Sequence, residues 1–95
     1  MTHFALMYDV VEGFGEKRMA HRPAHLELIN AAHARGELVL AGALGNPPDG
    51  ALLVFRAENA DTVESFARAD PYVTSGLVKS WRVRPWNVVI GAGTP

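Results

Sequence analysis

Leu38-Val39-Leu40-Ala41-Gly42-Ala43-Leu44-Gly45-Asn46-Pro47-Pro48-Asp49-Gly50-Ala51-Leu52-Leu53-Val54-Phe55 lies at the middle of the chain and is its most telling stretch. Leu38 to Ala43 and Ala51 to Phe55 are apolar runs of strand length. The turn formers Gly45 to Gly50 join them, so the stretch reads as a β-hairpin. Each side of it carries a helical pattern and then a further strand. Upstream, the helical pattern runs to Arg35 and stops at Gly36, a residue suited to the position just past a helix end. Pro23 is costly inside a helix, which puts it in the first turn and makes the preceding residues a separate turn. Leu26, Ile29 and Ala32 or His33 form the inward stripe, and Arg22 and His25 extend it. Before that, His3 to Val10 is a strand with Phe4, Leu6, Tyr8 and Val10 on one face and Ala5 and Met7 on the other.

Downstream, Asp61 and Glu64 have the spacing of a capping box and open a short helix with Val63, Phe66 and Ala67 inward. Asp70 falls next on that stripe, and Pro71 stops the helix there. Gly76 opens a last strand through Ile90, in which Trp81, Val83, Trp86 and Val88 supply bulk and Pro85 implies an edge or a bulge. Gly91 to Pro95 reads as a loose tail.

The order β-α-β-β-α-β predicts an α+β, ferredoxin-like domain over residues 1–95, an antiparallel sheet with two helices on one face. The first strand is apolar on both sides and two tryptophans lie in the last, so the opposite face also needs cover. A second copy packed sheet to sheet supplies it, and a homodimer is expected.

The chain has 95 residues, a formal net charge of −1 and no cysteine. Scattered Lys and Arg give no basic field for nucleic acid, and a disulfide framework or thiol nucleophile is excluded. Met1 to Val11 carries neither a positive n-region nor a long apolar h-region, so a soluble, cytoplasmic protein with no membrane partner is expected.

Chemistry centres on His25 and Asp70, ionisable residues on the inward stripes of different helices. Imidazole titrates nearest neutrality, which suits a general acid/base, and a carboxylate on one ring nitrogen fixes the tautomer. No serine is placed as a nucleophile, so proton abstraction or elimination fits better than acyl transfer. Arg22 suits either a substrate anion or a salt bridge. Tyr8, Tyr72 and Trp86 suit either an aromatic-friendly pocket or packing, and Gly42 either close approach of a ligand or a bulge. His21, His25 and His33 have helical spacing, but Pro23 interrupts it, so no metal is expected. Gly13-Phe14-Gly15 is no phosphate loop, and no cofactor is expected.

Arg22-Pro23-Ala24-His25-Leu26, His33 to Gly36, Leu40-Ala41-Gly42, Ala69-Asp70-Pro71-Tyr72 with Gly76, and Val83-Arg84-Pro85-Trp86 resemble the YCII-related (YciI-like) family in order and spacing. The resemblance covers nearly the whole chain and implies a dimeric α+β barrel with a His–Asp active pair, here His25 and Asp70. One branch of that family removes chloride from chlorinated hydroxyhydroquinones. The loop Gly45 to Gly50 is shorter than in longer relatives. Two functions follow: a small-molecule enzyme with a His–Asp dyad acting on a small aromatic or enol substrate, or a non-catalytic dimeric domain that binds a small ligand or regulates a partner, with the pair as structural glue.

Overall fold

The computed structural model describes residues 1–91; the remainder of the expected tail, Ala92 to Pro95, lies outside the described residues. The elements are β1 (Thr2–Val10), α1 (Phe14–Lys17), a 3-10 turn (Arg18–Ala20), α2 (Arg22–Ala34), β2 (Leu38–Leu44), β3 (Gly50–Ala57), α3 (Ala60–Ala69), α4 (Pro71–Thr74) and β4 (Val78–Trp86). The sheet order is β2-β3-β1-β4 with every pairing antiparallel. This is the ferredoxin-like α+β arrangement, with the hairpin of β2 and β3 between the two main helices.

Register assigns the faces. Phe4 pairs with Phe55, Leu6 with Leu53 and Tyr8 with Ala51, and these residues look toward the helices. Phe4, Leu6, Leu53 and Phe55 are buried there with Val63, Phe66 and Ala67 of α3. Phe55 and Phe66 meet edge to face with centroids 5.0 Å apart, a favoured aromatic geometry. Helix α2 touches the core through Ala32, Leu28 and Ile29, whereas His33 is exposed and Leu26 is partly so. The stripe is therefore rotated slightly from the expected one, and Leu26 sits over the gap between α2 and the sheet.

Several boundaries differ from expectation for local reasons. Helix α3 is capped not by Asp61 but by Asn59, whose side chain accepts a hydrogen bond from the Asp61 amide at 3.0 Å. Asn59 is extended, as an N-cap requires, and Asp61 lies in the first turn, where its charge suits the helix dipole. Strand β4 ends at Trp86, four residues short of Ile90, and Val88 instead closes a tight turn onto the Trp86 carbonyl. Pro85 lies on the outer strand β4, where a missing N–H is tolerated. The ladder irregularity on β2 falls between Leu38 and Leu40, so Gly42 is no bulge. Gly45 has φ +85° and a Cβ there would approach the Asp49 carboxylate to 2.6 Å, so the hairpin turn requires glycine. No described helix is long and apolar enough to cross a membrane.

Candidate functional site

Asp70 is the centre of the site. It ends α3 in an extended conformation because Pro71 follows, and it caps α4 by accepting the Tyr72 amide on Oδ1 at 3.0 Å. That turn aims the carboxyl group inward, and Asp70 is completely buried. Oδ1 also meets His25 Nδ1 at 2.8 Å, and Oδ2 accepts from the Tyr8 hydroxyl at 2.7 Å. Three donors from α2, α4 and β1 thus converge on one carboxyl group, which meets the requirement that a buried acid be hydrogen-bonded.

His25 comes from the second turn of α2, a helix started by Pro23 in its first turn. Its ring stacks on Tyr72 with centroids 3.8 Å apart and an interplanar angle of 11°. Tyr72 in turn meets Phe14 edge-on at 5.3 Å. The imidazole is fixed in both position and plane. Nδ1 is committed to Asp70, and the opposite nitrogen, Nε2, is the one left for the cavity that His25 lines.

That cavity has a volume of about 160 Å3 and lies between α2 and the β2–β3 side of the sheet. Its sheet wall is Ala41, Ala43, Ala51 and Leu53, small or apolar side chains on the helix-facing register. Arg18 and Arg22 line the other side, and neither forms an ion pair among the described residues. Among the described residues, no group of three or more His, Cys, Asp or Glu is gathered that could hold a metal ion.

Of the residues named from sequence, the structure brings together His25, Asp70, Tyr8, Tyr72, Arg22 and Gly42. Gly42 contributes backbone only; a Cβ there would meet nothing within 4 Å, so the position shows no steric need for glycine. Trp86 is not part of the site. It pairs with His3, at the far end of β1 from Tyr8 and on the opposite sheet face. Arg18 and Phe14 were not read as site residues. Phe14 begins α1 and Arg18 begins the 3-10 turn after it, both ahead of Pro23, and the apolar Phe14 amid a polar stretch is the signal that points there.

Burial is the largest cause raising the Tyr8 phenol far above its ordinary value of 10.0, with the charge and hydrogen bond of Asp70 adding to it. Burial also raises Tyr72, and Asp70 adds to this, while the Arg18 and Arg22 guanidiniums pull the other way. Both phenols therefore stay protonated in the fold at a pH where they ionise in the unfolded chain. Their stabilising effect is whole below pH 10 and is lost as pH rises from there toward the folded-state values. The expected slope is about 1.4 kcal/mol per pH unit from Tyr8, whose shift is large. Denaturant melts above pH 10 should show Tyr8→Phe reducing this slope; an unchanged slope would mean that Tyr8 ionises freely.

Residues 1–87 match the model of the YCII-related domain. The protein YciI of Escherichia coli is 32% identical over 83 residues, which cover 78% of this chain and 85% of the relative. YciI of Shigella flexneri matches with the same figures: 32% identity, 78% of this chain and 85% of the relative. A solved structure, 5-chloro-2-hydroxyhydroquinone dehydrochlorinase (TftG) from Burkholderia phenoliruptrix AC1100 in complex with 2,5-dihydroxybenzoquinone, shares the fold. The TM-score is 0.75 at 24% identity, covering 90% of this chain and 93% of that one.

Proposed function

The chain belongs to the YCII-related family, and from that premise we propose that it is a small-molecule enzyme with His25 as general acid/base and Asp70 as its positioning partner. The carrying observation is the 2.8 Å contact between His25 Nδ1 and the buried Asp70. With Nδ1–H donating to the carboxylate, Nε2 holds the lone pair toward the cavity and takes a proton from a bound hydroxyl or acidic carbon. The electron pair left on the substrate moves into its conjugated system. Where a leaving group is present, such as chloride, it departs with its bonding pair, and the net change is loss of HX.

The size of the cavity supports a small aromatic or enol substrate, because an apolar cavity of roughly 150 Å3 takes one benzene ring. The shared fold with a dehydrochlorinase bound to a dihydroxybenzoquinone supports the same class. Arg22 binds the substrate's anionic oxygen, a role consistent with its lack of an ion-pair partner among the described residues. The test is a screen of chlorinated hydroquinones and simple enols, following halide and quinone formation in the wild type and in His25→Ala. Turnover that persists unchanged in the variant would sink the proposal.

A homodimer is part of this reading. On the helix-free face, Leu40 pairs with Val54 and Val54 with Ala5, and Leu52 pairs with Met7, which makes an apolar band across β2, β3 and β1. Leu40 is 68% exposed in the single chain, and β4 borders the band with Arg82 and Arg84. Two such faces packed together remove this surface from water. Light scattering at micromolar concentration should give twice the chain mass, with Leu40→Asp shifting the population to monomer. A wild type that scatters as a monomer contradicts this assembly.

A further inference from the structure

Tyr8 is the buried ionisable group at the site that proton transfer through His25 leaves unused. It is only 4% exposed, and its ring lines the cavity. Strand β1 sets it there. On the helix-facing side Tyr8 pairs with Ala51 of β3 and Trp81 of β4, so a small neighbour opens the cavity flank and a large one closes the other. Its hydroxyl reaches Asp70 Oδ2 at 2.7 Å, whereas His25 Nδ1 and the Tyr72 amide both meet Oδ1. Tyr8 is therefore the one side chain that holds Oδ2 among the described residues. A short bond from a hydroxyl to a carboxylate draws charge toward the oxygen that it serves and fixes the carboxyl plane. Burial holds the phenol protonated, so in this contact it can only donate.

We propose that Tyr8 is a positioning residue for the base: by holding Asp70 Oδ2 it fixes the plane in which Oδ1 meets His25 Nδ1 and tempers the charge that Oδ1 presents, so that Nε2 keeps its lone pair for the substrate. This deepens the catalytic reading and rests on it. A carboxylate beside an imidazole does two things: it orients the ring, and it favours the imidazolium. The first serves a general base. The second works against it, because a ring already protonated at Nε2 takes nothing from a substrate. A donor on the far oxygen strengthens the first effect and weakens the second. The other charged and titratable groups around the ring are Arg18 from the 3-10 turn, Arg22 of α2, His21 one turn before, whose carbonyl accepts from the His25 amide, and the Tyr72 phenol. None of their side chains bonds to Asp70 among the described residues, and each stays in place when Tyr8 is changed.

The experiment is a nitrogen-15 NMR pH titration of the His25 ring in the intact protein, in the wild type, Tyr8→Phe and Tyr8→3-fluorotyrosine, with the amide spectrum of each as the check of folding. Phenylalanine keeps the aromatic ring and removes the donor, whereas fluorine makes the phenol a stronger donor. The imidazole should take up its second proton at a higher pH in Tyr8→Phe, by roughly half a unit or more, and at a lower pH in Tyr8→3-fluorotyrosine. Altered packing has no reason to produce opposite shifts. For a substrate that turns over, the acid side of the kcat/KM profile should move with them: Tyr8→Phe loses most at low pH and recovers as pH rises, while a packing defect lowers the profile evenly. Any other pattern of titration, including shifts of one sign or no shift in either variant, overturns the proposal. If Tyr8→Phe does not fold, a fluorotyrosine variant that titrates as the wild type does overturns it by itself. The titration needs no turnover, so the coupling of Tyr8 to His25 is measured even if no reaction depends on His25, and unmoved titrations beside His25-dependent turnover sink this proposal alone.

Discussion

His25→Ala should lower kcat/KM for a substrate found by the screen by about 10²- to 10⁴-fold, the range carried by a positioned general acid/base. Its effect on folding should be far smaller. Alanine is the best helix former, His25 stands on the cavity side of α2 with 14% of its side chain exposed, and Asp70 keeps its bonds from Tyr8 and the Tyr72 amide. The stability cost is about 1–2 kcal/mol, from one charge-assisted hydrogen bond and one ring stack. Kinetics and denaturant melts on the same preparation separate the two effects. Activity and folded fraction falling together would make the pair a structural tie between α2 and α4.

Asp70→Ala should be the most destabilising single change at the site, at about 3–5 kcal/mol, because it strips a common acceptor from three donors in a fully buried place. The loss also reaches the chain path. Asp70 is both the residue at which α3 ends and the cap of α4, so its removal loosens the turn that carries Tyr72. Asp70→Asn keeps the volume and one acceptor oxygen, and should cost less than half as much. Chemical denaturation measures the difference. A shift below about 1 kcal/mol for Asp70→Ala would show that the three bonds contribute little and that the carboxyl group is not the hub of the site.

The fold was legible because its signals are local. Alternation in Phe4 to Val10, turn formers at Gly45 to Gly50 and the stop at Gly36 each depend on a few neighbouring residues, and together they leave one topology. The convergence of His25 and Asp70 was legible for a related reason: once two helices lie on one sheet face, polar residues on both inward stripes meet. What could not be read is fixed by tertiary register. Trp86 and Tyr72 look alike as aromatic residues, yet β4 pairing sends Trp86 to the other sheet face and the α4 turn sends Tyr72 against His25. Arg18 was hidden because nothing local distinguishes it from the cations beside it, Lys17 and Arg22. The Tyr8 bond to Asp70 spans most of the chain and has no sequence periodicity behind it.

In the proposed mechanism Asp70 holds His25 as the Nδ1–H tautomer with Nε2 free toward the cavity. Nitrogen-15 NMR of the His25 ring, recorded in the wild type and in Asp70→Asn at a pH where the ring is neutral, measures this directly and needs no substrate. One tautomer is expected in the wild type, with the proton on Nδ1 and a lone-pair shift at Nε2, and a mixture once the carboxylate is gone. A wild-type ring that carries its proton on Nε2, or that averages both tautomers as a free imidazole does, would contradict it.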